Sequence, residues 1–256
     1  MKLTSIVSSS GVCRGLLARA LPSERFWRAY VRHIPILRDS EQLQIIRGKM
    51  TDRFSLKPDD RAVDLGCGTG TWISEIAPKV ASVTGLDIEM GMLRQAASSV
   101  QNNVQLVCGR IEAMPFKSDY FDVVGSILAV GYVDDQDAAI SEIVRITRPG
   151  GRIIIVTPIV DADFSKVLKA EAASRGFSEI IGDRQNILKL LKGAAAAYVF
   201  GTLAELKAAS GQWHFYTEKE LAGRFMTLGL DVLYAERVYA DQAILMDVRK
   251  PFLTLT

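Results

Sequence analysis

Val63-Asp64-Leu65-Gly66-Cys67-Gly68-Thr69-Gly70 decides how the rest of this 256-residue chain is read. A short apolar run feeds directly into a glycine-rich turn. Trp72, Ile73 and Ile76 then carry helical spacing as far as Pro78, which ends or kinks the helix. Glycine at three alternate positions leaves the turn without Cβ atoms, so its backbone can take φ > 0 and press against a ligand. Strand, tight turn and helix N-terminus together make the nucleotide-binding corner of an open α/β sheet. The spacing is selective. A dinucleotide fingerprint, G-x-G-x-x-G, would have its third glycine at position 71, where Thr71 stands.

Outward from this corner the chain alternates strand and helix. Strand one covers Arg61 to Leu65. Strand two runs from Ser82 to Leu86 and closes in Asp87, strand three from Val104 to Val107, and strand four from Phe121 to Ser126. Met90 to Val100 reads as a helix, and Pro115 to Tyr120 as a loop. Asp134 or Asp135 caps a helix with Ala139, Ile140, Ile143 and Val144 on one face. Arg148-Pro149-Gly150-Gly151 stops that helix, and Ile153 to Val156 is strand five. Near-continuous apolar strands joined by helical crossovers demand a parallel sheet covered on both faces.

Upstream, a helix from about Val12 to Tyr30 is interrupted at Pro35. A second helix begins near Asp39 or Ser40, with Leu43, Ile46, Met50 and Phe54 on one face. Downstream, residues 160–212 look helical with no strand between. Thr217 to Glu220 has capping-box spacing for a helix with Leu221, Phe225 and Leu228 inward. Asp231 to Val238 and Gln242 to Val248 close the chain as a hairpin. The expected architecture has four parts within one domain: an N-terminal helical cover (1–56), an α/β core (57–159), a helical lid insertion (160–212) and a C-terminal helix and hairpin (213–256).

Composition sets the outer limits. Hydrophobic residues make up 48% and charged residues 23%, ordinary for a globular enzyme. A formal net charge of only +2, with both signs interspersed, gives no basic stripe for nucleic acid. Cys13, Cys67 and Cys108 lie far apart, form no metal-ligand spacing, and suit a reducing compartment. No metal site is expected. The first 23 residues carry Lys2, Arg14 and Arg19 without an acid. Arg14 breaks the apolar run of a signal peptide, so we read a retained amphipathic helix in a cytoplasmic protein, with organelle targeting as the alternative. That helix is also a candidate for weak contact with a membrane surface.

The string D-L-G-C-G-T-G resembles motif I, D-x-G-x-G-x-G, of the class I S-adenosylmethionine-dependent methyltransferases. The likeness, to the small-molecule (type 11) kind, continues motif by motif from Arg61 to Pro158. It implies a Rossmann-like, doubly wound α/β fold with a seven-stranded, mainly parallel sheet whose last strand is antiparallel. It also implies S-adenosylmethionine as cofactor. In that reading Asp64, Gly66, Cys67, Gly68 and Gly70 meet the methionine end, and Asp87 accepts the ribose hydroxyls. Ile88 and Met90 flank the adenine.

Gly109-Arg110-Ile111-Glu112-Ala113-Met114-Pro115-Phe116 resembles the family's segment after strand three, with one departure. The family commonly has an aspartate where Arg110 stands, and arginine cannot accept a hydrogen bond. Adenine would then lie against the Ile111 backbone N–H, with Arg110 stacking on the ring or swinging outward. Glu112 reads as a surface or helix-start residue. Phe121-Asp122-Val123-Val124 and Ser126 resemble the strand-four motif, so Ser126 and Ile127 run beneath the cofactor. Gly131, Tyr132 and Val133 face the methyl group.

No catalytic residue is assigned. His33 and His214 are the only side chains whose ordinary pKa suits proton removal at neutral pH, and Tyr132 is the third candidate. Trp213, Phe215, Tyr216, Tyr198 and Phe200 point to a hydrophobic, aromatic or lipid-like small-molecule acceptor. Three other readings stay open: a protein that binds S-adenosylmethionine without transferring methyl, an NAD-dependent oxidoreductase, and a structural interaction module.

Overall fold

A computed structural model of the chain describes residues 40–174, 207, 208, 211 and 213–252. The expected first helix with His33, and most of the lid with Tyr198 and Phe200, lie outside the described residues.

Seven strands form one sheet in the order β3-β2-β1-β4-β5-β7-β6. They are β1 (Arg61–Leu65), β2 (Ser82–Asp87), β3 (Val104–Cys108), β4 (Phe121–Ile127), β5 (Thr147–Pro158), β6 (Asp231–Val238) and β7 (Ala243–Arg249). β1 to β5 pair in parallel, and β7 runs antiparallel between β5 and β6. The strand order reverses at β1 and β4, whose carboxyl ends therefore open a crevice that no crossover covers. This is the expected doubly wound sheet with its antiparallel last strand.

Helices cover both faces: α1 (Glu41–Phe54), α2 (Thr71–Ile76), α3 (Met90–Ala96), α4 (Gln136–Ile146), α5 (Phe164–Ser174) and α6 (Glu218–Thr227). The period-two alternation of the strands decides which side chain meets which layer. On β5, Ile153 and Ile155 join Ile140 and Ile143 of α4 and Phe225 of α6 in one core. Ile154 and Val156 join Ile46 and Met50 of α1 and Ile73 of α2 in the other. All of these are essentially inaccessible. Each buried aliphatic side chain contributes about 1.5–3 kcal/mol against exposure, so the two cores fix the sheet and leave its carboxyl edge free for function.

The ends of the helices follow local chemistry. Ser40 caps α1 by accepting from the Leu43 N–H at 3.2 Å, and Asp135 caps α4 by accepting from Ala138 at 2.9 Å. Thr217 and Glu220 form the expected capping box on α6. Three expectations need correction. α3 stops at Ala96 rather than Val100, because the Ser98 and Ser99 hydroxyls bond the Gln95 and Ala96 carbonyls and end the helix. β5 starts at Thr147 rather than Ile153: Gly150, at φ 79°, donates to the Lys250 carbonyl at 2.7 Å, so the Pro-Gly stretch continues as sheet. Leu228 is 44% exposed, since α6 ends at Thr227 before that residue can turn inward.

Candidate functional site

The turn after β1 is built by its glycines. Gly66 lies at φ 74°, and its N–H and that of Cys67 both reach the Leu86 carbonyl of β2, at 2.7 and 3.0 Å. A Cβ on Gly66 would stand 2.3 Å from the Ala129 Cβ, so no other residue fits. Gly68, at φ 56°, faces open space instead. It lines a cleft of about 280 Å³ at the carboxyl ends of β1, β2, β3 and β4.

Two carboxylates dominate this cleft. Asp64, the fourth residue of β1, is 3% exposed and lines it. Among the described residues no donor lies within hydrogen-bonding distance of that carboxylate. Burial, with the Asp87 charge as the smaller cause, pushes the Asp64 carboxyl up to about 8. Asp87 ends β2 and accepts from the Gly68 N–H at 2.8 Å on one oxygen and from the Glu89 N–H at 2.9 Å on the other. Burial raises its pKa as well, against these two N–H groups, which lower it. Each Asp87 oxygen keeps a lone pair for a further donor. Burial and both aspartates hold the Cys67 thiol far up its scale, so it stays a neutral wall rather than a nucleophile.

The remaining candidates divide. Ile88, Arg110, Ile111, Ile127 and Tyr132 line the cleft with Gly66, Cys67 and Gly68. Gly70 does not. It caps α2 and approaches Ala96, where an added Cβ would stand 3.0 Å from the alanine Cβ. Met90 is 47% exposed on the outer side of α3, and Met92, two residues on, faces the cleft in its place. Ser126 lies under the floor, its hydroxyl donating to the Leu65 carbonyl at 2.9 Å. His214 is exposed, set edge-on against Tyr216 at 4.7 Å, and lies off the cleft. Tyr132 lines the cleft and packs edge-to-face on the buried Trp213 and Phe215, at 5.1 and 5.5 Å.

Several lining residues escape sequence reasoning. Leu43 and Arg47 reach over from α1, and Arg47 is held by Glu75 of α2 at 2.6 Å. Leu128 follows β4 at φ 55°, an uncommon conformation for a branched side chain, and was the one local outlier beside the site. Glu112 also lines the cleft, with its side chain only 11% exposed, contrary to its expected surface position. The cause is Arg110, which swings away from a stacking position to bond Glu112 and Asp134 at 2.7 and 2.9 Å.

The chemistry of the cleft is specific. A buried carboxylate at Asp64 without a cation favours a ligand that brings one, and a bare backbone at Gly68 favours close approach. A sulfonium amino acid joined to a nucleoside offers a cation, a diol and a planar base, and fits. Two alanine variants separate fold from ligand. Gly66→Ala is expected to cost about 1–3 kcal/mol of stability through backbone strain and its collision with Ala129. Gly68→Ala is expected to cost about 1 kcal/mol, for its φ alone, yet to weaken cofactor binding at least tenfold, about 1.4 kcal/mol. Paired thermal melts and calorimetric titrations check both.

Comparison with known proteins agrees. Residues 63–155 match the family described as a methyltransferase domain. A sterol 4-C-methyltransferase of Caenorhabditis elegans is 26% identical over 178 residues, covering 68% of this chain and 49% of that protein. A demethylmenaquinone methyltransferase of Corynebacterium kroppenstedtii is 28% identical over 189 residues, 72% of this chain and 78% of its own. The chain spans about half the length of most of the curated relatives it matches. Among solved structures, an S-adenosylmethionine-dependent methyltransferase of Mesorhizobium loti superposes with a TM-score of 0.55 at 17% identity, covering 79% of this chain and 96% of that one. At that identity the likeness is one of fold.

Proposed function

We propose that this chain, whose residues 63–155 match the methyltransferase domain family, is a class I S-adenosylmethionine-dependent methyltransferase that transfers a methyl group to a small, lipid-like acceptor. The observation that carries the cofactor half is the pair of cleft-lining carboxylates, buried Asp64 and half-buried Asp87, on adjacent strand ends with the glycine turn between them. Asp64 would meet the cationic amino-acid end, Asp87 the sugar hydroxyls, and the loop after β3 the base. The bound sulfonium supplies an intrinsically transferable methyl group. The chain's own residues then need to orient the acceptor and exclude water, work that can supply most of the acceleration without a strong base.

The acceptor half rests on two supports. Tyr132 presents an aromatic side chain to the cleft, backed by the buried Trp213 and Phe215, and relatives with named substrates act on a sterol and on demethylmenaquinone. Tyr132 is the cleft-lining candidate for orienting an acceptor hydroxyl. The exposed His214 lies outside the cleft, so we assign it no proton transfer.

Two measurements test the proposal. S-adenosylhomocysteine at a hundred times its Kd should stabilise the protein by about 2.7 kcal/mol, and NADH should not. Radiolabel from methyl-labelled S-adenosylmethionine should then appear in quinol or sterol lipids rather than in polar acceptors. Stabilisation by NADH alone would overturn the cofactor assignment. Cofactor binding with no label in any acceptor would favour a protein that binds the cofactor for another reaction or for regulation.

A further inference from the structure

Resting on that reading, we propose that Gln136 is the positioning residue for Tyr132, the side chain that orients the acceptor. It acts by tying together the two chain segments that carry the aromatic rings at that end of the cleft. Gln136 opens α4 and is buried. Its Nε2 donates to the Gly131 carbonyl at 2.9 Å and to the His214 carbonyl at 2.7 Å, which uses both amide hydrogens. The first carbonyl belongs to the peptide group that leads into Tyr132, the second to the one that leads into Phe215. One amide thus sets the spacing of the backbones from which the two rings meet edge-to-face.

The parts on either side of this link are themselves fixed. A Cβ on Gly131 would stand 2.5 Å from Thr157 Oγ1 and 3.0 Å from Pro158 Cδ, so the backbone before Tyr132 lies directly against the end of β5. Trp213, next to His214, is fully enclosed, with Lys207 Nζ 4.9 Å from its ring. Core stability alone does not account for Gln136. Among the described residues its own carbonyl oxygen is buried without a partner, and an unpaired buried acceptor is a cost to the fold. What the side chain supplies is its pair of donors. Without them Tyr132 can turn, and an orienting group displaced by about 1 Å can cost about a hundredfold in rate.

The test uses the full chain and Gln136→Met, which keeps the length of the side chain and loses both donors. In protein labelled with 3-fluorotyrosine, the Tyr132 fluorine resonance is the one that disappears in Tyr132→Phe. The neighbouring rings should hold it away from the position of an exposed tyrosine, and Gln136→Met should move it towards that position or broaden it beyond detection. The Kd of S-adenosylhomocysteine should stay within about twofold, since Asp64 and Asp87 are untouched. Methyl transfer to reduced demethylmenaquinone with a short prenyl tail should lose about ten- to a hundredfold in kcat, with KM changed by less than about threefold. In the Tyr132→Phe background Gln136→Met should cost less than about twofold more, because the two residues act as a unit. An unmoved Tyr132 resonance, or a loss equally large with and without the Tyr132 hydroxyl, would overturn the assignment. Absence of label in the quinol with the wild type would instead overturn a quinol as acceptor, and the fluorine spectrum would still decide the role of Gln136. If Gln136→Met fails to fold, Gln136→Asn, whose shorter amide reaches one carbonyl at most, should move the resonance in the same direction.

Discussion

Asp64→Asn is expected to weaken cofactor binding roughly thirtyfold or more at neutral pH while making the ligand-free protein more stable. The carboxylate lies buried at the end of β1 with no donor on it among the described residues, and its pKa stands near 8 against an ordinary value of 3.8. In the ligand-free fold it therefore holds a proton at pH 7 that the unfolded chain has released. A raised folded pKa means that this contribution to stability is fully present below about pH 4 and is lost as pH rises through about 8. Asparagine has no such proton to lose. Melting temperatures of wild type and variant should coincide near pH 4 and diverge in favour of the variant up to pH 8.

The ligand reverses that ordering. A cation beside Asp64 favours the ionised form, so binding at pH 7 should release close to one proton. Titrations in buffers of different ionisation heat read that release directly. The asparagine variant should release none and should lose about 2–5 kcal/mol of binding, roughly thirtyfold or more in Kd. Wild-type affinity should rise between pH 6 and 8, by at most about tenfold per unit. An asparagine variant that binds as tightly as wild type would remove Asp64 from the site.

The parts of this chain legible in its sequence are those governed by neighbours along the chain. β1, β2 and β4 were readable because their central residues are mostly apolar and buried, and β1 and β2 run out into Gly66 and Asp87. The cap of α6 was readable because Thr217 and Glu220 act on each other. Asp64 and Asp87 stood out because each carboxylate interrupts or ends an otherwise apolar strand beside the glycine turn. Met90 was mistaken for Met92 because a helix of 7 residues, about two turns, gives too little periodicity to fix its rotation. Glu112 was misread because its position depends on Arg110 and Asp134, the latter 22 residues away. Leu43 and Arg47 reach the cleft only through the packing of α1, which no local pattern encodes.

That packing has its own anchor. Asp247→Ala is expected to cost about 3–5 kcal/mol of stability, which lowers the melting temperature by about 10 °C for a chain of this size. On β7, Ala243 and Leu245 face the α1 layer. Alternation brings Asp247 to the same face, fully buried where an apolar residue would be expected. Arg53, in the last turn of α1, reaches it with Nε at 2.9 Å and Nη2 at 2.8 Å. Arg152 of β5 closes from the other side with Nη2 at 2.7 and 2.5 Å from the two oxygens, and also bonds the Arg53 carbonyl at 3.2 Å. Removing the carboxylate leaves two guanidinium groups facing each other across a half-buried gap.

The pin also bears on function. The start of α1 is held separately, its Glu41 and Gln42 N–H groups donating to Glu171 of α5 at 3.3 and 3.0 Å. Losing Asp247 should therefore loosen α1 at one end only. S-adenosylhomocysteine affinity should fall severalfold, about 1 kcal/mol, through Leu43 and Arg47. A triple replacement, Arg53→Met, Arg152→Met and Asp247→Leu, decides what the cluster is for. Apolar substitution of a whole buried ion cluster is often neutral or stabilising, so the melting temperature should recover. Affinity should stay low if the charges serve to fix the angle of α1 over the cleft. Recovery of both would mean that the cluster contributes stability alone and that the covering helix finds its place by apolar packing.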